Sequence, residues 1–197
     1  MCNFLSGIVT YKNKKVLYDL DDDSHEFLIK THKLDDTRDV PNFVRVELIP
    51  ADSNICNMDL ANWNLTVDQD IIPDWFDEKA AEAAMKDALQ KVWTERFIIG
   101  GEHGDIINRR IRVISGAKIK SLRNSQVGEM WENSQVGVMW ENSQVGVMRK
   151  NSTIKVYSEF VTAKDIRGNA MIITYCGNTV EIITSNPKTT IRVSGGF

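Results

Sequence analysis

Between Asn124 and Glu159 the chain writes one motif four times. NSQVGEMWE (124–132), NSQVGVMWE (133–141), NSQVGVMRK (142–150) and NSTIKVYSE (151–159) follow one another with a period of nine. Copies this similar must each satisfy the same local geometry, so the segment has to be an array in which every unit packs on its neighbours. Divergent copies extend it. GAKIKSLR (116–123) fits with one residue missing, and Asn169 and Asn178 fall in frame, 18 and 27 residues after Asn151.

The pattern within a unit is that of a strand. Ser125, Ser134, Ser143 and Ser152 are each followed two residues later by an apolar β-former: Val127, Val136, Val145 or Ile154. A spacing of two puts both on one face of a strand. A large side chain comes three residues further on (Met130, Met139, Met148, Tyr157), which breaks the alternation and implies a bend, with Gly128, Gly137 and Gly146 at the turn. A helix is a poor alternative, because nine residues make two and a half α-turns and successive copies would face opposite ways. Nine extended residues reach only about 30 Å, so two units per coil, 18 residues, is the natural closure. The Ser, Val and Met columns then fill a thin core, and the asparagines stack at corners. The fold class expected is an α+β N-terminal domain (1–100) followed by a β-solenoid (101–197), with repeats from about Ile106 to about Thr184.

The first hundred residues lack the repeat. Asn3–Thr10 and Lys15–Asp19 read as strands around a turn at Lys12–Lys14. Asp23-Ser-His-Glu26 has the capping-box pattern, so a short helix runs to about Lys33. Phe43–Ile49, ending at Pro50, and Trp63–Val67 are further strands. Asp74 can cap a long helix to about Phe97, with Phe76, Ala80, Ala83, Ala84, Leu89 and Val92 as its apolar stripe. Gly100-Gly101 marks the boundary. The formal charge is −8 over residues 1–100 and +5 over 101–197, as expected of two modules with different surfaces.

A composition of 42% hydrophobic and 26% charged residues suits a soluble protein, and no stretch approaches the roughly 18–20 apolar residues of a membrane span. The opening MCNFLSGIVTYKNKK has no basic stretch before its short apolar patch, which predicts no secretory signal and a cytoplasmic location. Cys2, Cys56 and Cys176 are isolated and the histidines scattered, so neither a disulfide framework nor a structural zinc site is expected, and no cofactor is implied. Calcium-binding nonapeptide rolls need GGxGxDxUx, whereas the units here have at most one glycine and no aspartate.

Four groups of residues carry candidate chemistry. Trp131, Trp140 and Arg149 occupy one column and Glu132, Glu141 and Lys150 the next; aromatic groups beside charges suit a partner protein or stacked bases. With 18 residues per coil, Trp131 and Arg149 fall on one side and Trp140 on the other. Cys2, after methionine removal, is an alternative N-terminal nucleophile for amide hydrolysis. His25 and Glu26 lie beside Asp21, Asp22 and Asp23, a carboxylate–histidine cluster suited to acid–base work or simply to a helix N-terminus. Arg109, Arg110, Arg112, Lys118, Lys120 and Arg123 form an alternative nucleic-acid surface, although without dense basic clustering.

MCNFLSGIV, the DSHE segment, FVRVELIP, DQDIIPDWF and the NSQVGEMWENSQVGVM array together resemble an uncharacterised family of gut bacteria and their phages, over almost the whole chain. The resemblance implies a role in phage–host conflict and brings no known activity. The expected function is a non-enzymatic interaction module, a phage-encoded inhibitor of a host protein. Cys2 amidohydrolysis and nucleic-acid binding are the alternatives.

Overall fold

The structure is a computed structural model and describes residues 5–11, 15–35, 42–157, 162–176, 179–185 and 188–194. The chain forms two compact units, Met1–Glu95 and Arg96–Phe197.

The first unit contains β1 (Leu5–Thr10), β2 (Val16–Leu17), α1 (His25–His32), β3 (Phe43–Pro50), β4 (Trp63–Val67) and α2 (Glu78–Arg96). The strands form an antiparallel sheet in the order β2-β1-β3-β4. Ile8 lies opposite Arg45, Ser6 opposite Glu47, and Glu47 opposite Thr66. Directly opposed residues share a face, so these side chains lie together on one side of the sheet. α1 covers that side, packing Leu28 against Ile8 and Phe43. The other side carries Gly7, Val46 and Trp63, and α2 packs there. A Cβ on Gly7 would lie 2.4 Å from Met85 Sδ, and Trp63 meets Trp93 edge-on at 5.6 Å.

Both helices start later than their sequences suggest. Ser24, not Asp23, caps α1: its hydroxyl accepts from the Phe27 amide. Asp77, not Asp74, holds the start of α2 through the Ala80 and Ala81 amides. The buried stripe of α2 is Ala81, Met85, Ala88, Leu89, Val92 and Trp93, so Ala80 and Ala83 point to solvent. The alanines gave no contrast between faces; the bulky Met85 and Trp93 decide which face goes inward. Asn3 and the turn at Lys12–Lys14 lie outside the described residues.

The second unit is a β-solenoid. Its strands are β5 (Phe97–Ile99), β6 (Glu102–Ile107), β7 (Arg110–Ser115), β8 (Lys118–Arg123), β9 (Gln126–Trp131), β10 (Gln135–Trp140), β11 (Gln144–Met148), β12 (Thr153–Val156), β13 (Thr162–Ile166), β14 (Met171–Cys176), β15 (Thr179–Ser185) and β16 (Lys188–Ser194). Odd strands from β5 to β13 form one parallel sheet and even strands from β6 to β14 the other. Val127 pairs with Val145 and Val136 with Ile154, a step of 18 residues and two units per coil. Earlier coils are tighter. Gln135 pairs with Lys118, 17 residues back, and Gln126 with Arg110, 16 back. The stack begins at Phe97, paired with Val113, before the Gly100-Gly101 pair. Its parallel path ends at β14, because β15 turns back antiparallel on β14 and β16 on β15. Thr184 therefore lies in a meander and not in a repeat; Asn178 lies outside the described residues.

The core between the two sheets is made by the repeat columns. Ser125, Ser134, Ser143 and Ser152 are fully buried, as are Val127, Val136, Val145, Ile154, Met130, Met139 and Met148. The serines bridge coils at the corners. The single Ser152 hydroxyl hydrogen is shared between the carbonyls of Arg149 (2.6 Å), at its own corner, and Met130 (3.1 Å), in the coil before. Asn151 Nδ2 donates to Asn133 Oδ1, and Asn169 Nδ2 to Asn151 Oδ1, an asparagine ladder along one edge. Replacing Ser152 with Ala removes a buried hydrogen bond between coils, while the Arg149 and Met130 carbonyls keep their backbone donors, and is expected to lower stability by about 1 kcal/mol in chemical denaturation. An unchanged midpoint would mean that the hydroxyl only fills space.

Two expectations for the array are corrected. The glycines do not make the turns. Gly128, Gly137 and Gly146 lie inside strands, where a Cβ would sit 2.5–2.7 Å from a carbonyl oxygen of the preceding coil. The turns use positive φ at Glu132 (57°), Glu141 (54°) and Lys150 (55°), one residue before each asparagine. Tyr157 also leaves the Met column. Unit 151–159 has Lys155 where the others have glycine, so β12 alternates strictly, Val156 goes inward and Tyr157 is pushed out, 45% exposed. The register shift between β10 and β12 records the lost residue. No helix among the described residues is long and apolar enough to cross a membrane.

Candidate functional site

The two tryptophans of the array sit in different surroundings. Trp131 ends β9, in the odd sheet. Its indole Nε1 donates to Glu129, and Arg149 Nε, from the next coil, donates to the same carboxylate at 2.9 Å. Lys150 Nζ reaches Glu132 at 3.4 Å. This side is held by its own ion pairs, with Trp131 only half-exposed.

Trp140 ends β10, in the even sheet, and is 40% exposed. Tyr157, displaced outward by the missing glycine, stacks on it with ring centroids 6.1 Å apart and planes 23° apart. Tyr175 stacks on Tyr157 at 4.7 Å and 8°. On the other side Trp140 is in register with Arg123, which lies 3.5 Å from Glu141, and Arg123 is in register with Ile107, 50% exposed. Ile107, Arg123, Trp140, Tyr157 and Tyr175 thus line one column across five strands, roughly 19 Å at the usual strand spacing of about 4.8 Å. Sequence reasoning placed Trp140 and Glu141 here but missed the two tyrosines. The signal available for Tyr157 was Lys155, since a side chain at the glycine position forbids the close approach that the bend needs.

The six basic residues divide between the sheets. Arg110 and Arg112 lie on β7, and Lys118, Lys120 and Arg123 on β8, with the core between; the Arg109 amide caps Ser125 Oγ. Lys118 pairs with Glu102 at 3.2 Å and Lys120 with Asp105 at 3.3 Å. The Ser121 hydroxyl, and after it Lys120, hold the Asp105 carboxyl below the usual carboxylate range. His103 Nε2 donates to the Gly100 carbonyl, 2.8 Å away. Cys2 lies outside the described residues.

In the first unit His25 is buried. The carboxylates of Asp19 and Asp22 hold the turn before it: Asp22 Oδ1 accepts from the Ser24 amide, and the Asp21 and Asp22 amides donate to Asp19 Oδ1. His25 Nε2 donates to the Val46 carbonyl at 3.0 Å and Nδ1 lies 3.2 Å from Asp68 Oδ2. Asp68 follows β4, held by its amide on the Arg45 carbonyl, and Glu47 lies on β3 beneath α1. Ligand atoms of His25, Glu47 and Asp68 all lie within 4.8 Å of one another. Sequence spacing gave no hint of this, because the three come from a helix start, a strand interior and a strand end.

No protein-family model, curated protein or solved structure matches the chain.

Proposed function

We propose that the protein is a non-enzymatic interaction module that binds another protein through the outer edge of its even sheet. The Trp140–Tyr157–Tyr175 ladder carries this reading. Large aromatic groups dominate the energetics of protein interfaces, and rings already stacked on each other lose little side-chain freedom on binding. Arg123 and Glu141 give the column a charged rim, and the rigid stack of coils fixes its spacing. The sequence resemblance suggests a bacterial host protein as partner and a phage-encoded inhibitor as the role.

Capture of a stoichiometric partner by the full chain should weaken at least about 30-fold in the Trp140→Ala/Tyr157→Ala double variant, a loss of about 2 kcal/mol typical of interface anchors. Trp131→Ala, on the other sheet, should stay within a few-fold. Equal binding by all three proteins would dismiss the ladder. Capture that falls steeply with salt and disappears after nuclease treatment would move the site to nucleic acid.

A further inference from the structure

We propose that His25, Glu47 and Asp68 bind a divalent first-row transition-metal ion, with Zn²⁺ the expected occupant. The His25 ring is already set for the task. The Val46 carbonyl can only accept, so Nε2 carries the hydrogen and Nδ1 is presented to Asp68. A ring nitrogen anchored on a backbone carbonyl, with the other turned toward carboxylates, is how metal-ligating histidines are oriented.

Charge points the same way. Glu47 is only 8% exposed, and its carboxylate shares a small space with that of Asp68. Burying a carboxylate beside another is costly without a compensating cation. Two carboxylates and a neutral imidazole balance a doubly charged ion. The His25–Asp68 distance, 3.2 Å, is close to the separation of about 3.4 Å between tetrahedral ligands at about 2.1 Å from a metal. The three ligand atoms all lie within 4.8 Å of one another, so tetrahedral spacing asks for a modest inward turn of the carboxylates.

A second observation comes from β1. Ser6 lies directly opposite Glu47 on the same face, is fully buried, and its Oγ has no hydrogen-bond partner. It stands where an outer partner for the Glu47 carboxylate belongs, and such partners fix ligating carboxylates. Asp68, 58% exposed, leaves an open side for exchange and for a water as fourth ligand. The imidazole nitrogen selects against Mg²⁺ and Ca²⁺, which prefer oxygen alone.

The test uses the full chain without a histidine tag, stripped with chelator and titrated calorimetrically with Zn²⁺ and separately with Mg²⁺. Zn²⁺ should bind one to one and raise the melting temperature, while Mg²⁺ gives no saturable heat. Asp68→Asn and Glu47→Gln should each weaken Zn²⁺ by at least about a hundredfold, the upper end of what losing one supporting partner costs. His103→Ala should leave the affinity unchanged. If Glu47→Gln disturbs folding, Asp68→Asn at the exposed ligand and the visible spectrum of the Co²⁺-loaded wild type decide. No one-to-one Zn²⁺ binding, or equal affinity in Asp68→Asn, would overturn the site and leave His25 and Asp68 as a simple ion pair.

Discussion

Deleting Asn133 to Glu141 is expected to destabilise the solenoid more than deleting Asn124 to Glu141, although the second deletion removes twice as many residues. The longer deletion takes out one full coil, and β11 and β12 move into the places of β9 and β10 on their own sheets. The shorter one sends every later strand to the opposite sheet. Val145 and Met148 still enter the core, because the columns repeat. The surface does not survive the exchange. Arg149 leaves Glu129 and takes the place of Trp140 beside Arg123, and Lys150 replaces Glu141, the present partner of Arg123. β12, which lacks the glycine, stacks on β9, and the β15–β16 meander must join the other sheet. The nine-residue deletion should melt about 10 °C below the 18-residue one, roughly 2 kcal/mol for a unit of this size. Identical melting curves would show that the two faces are interchangeable.

Gly146→Ala should be the most damaging single methyl in the array. Its Cβ would meet the Gly128 carbonyl oxygen at 2.5 Å, and that oxygen belongs to the backbone of a strand paired on both sides. No rotamer relieves the contact, so the coils must separate locally. A loss of about 3 kcal/mol is expected, the upper end of overpacking costs. Gly104→Ala is the control: it lies in β6, nothing stands within 4 Å of its added Cβ, and its melting temperature should hold or rise slightly. If both substitutions are silent, the close approach of coils at the glycines is wrong.

The architecture was legible because the period of nine is copied along the chain, and the Ser, Val and Met columns are buried as their spacing implies. The glycines were misread for a physical reason. From sequence, a glycine before a change of phase suggests a turn, but the constraint here is contact with the next coil, which no local pattern displays. The turns instead burden Glu132, Glu141 and Lys150 with positive φ, which their side chains do not advertise. Tyr157 followed the same error, since its direction depends on Lys155 abolishing the extra residue. In the first unit, strand positions came from alternation, whereas the face of α2 was hidden among alanines. The Tyr157–Tyr175 stack and the His25–Glu47–Asp68 group join residues with no shared local signal, so only tertiary structure could assemble them.

The reversal at β15 bears on how the array ends. Another solenoid could prolong the stack only by offering parallel strands to both sheets at once. Among the described residues the odd sheet finishes at this end with β13, while the even sheet carries two further strands after β14, the first of which runs backwards. The terminus is therefore a step and not a flat platform. The outermost even strand, β16, runs in the same direction as β14, so an end-on copy would meet strands of matching polarity whose edges stand at different heights on the two sheets. Solenoid tips invite fibre growth because exposed edges template their own kind. Here the meander leaves the two edges out of step, which works against a flush end-on stack of a second copy.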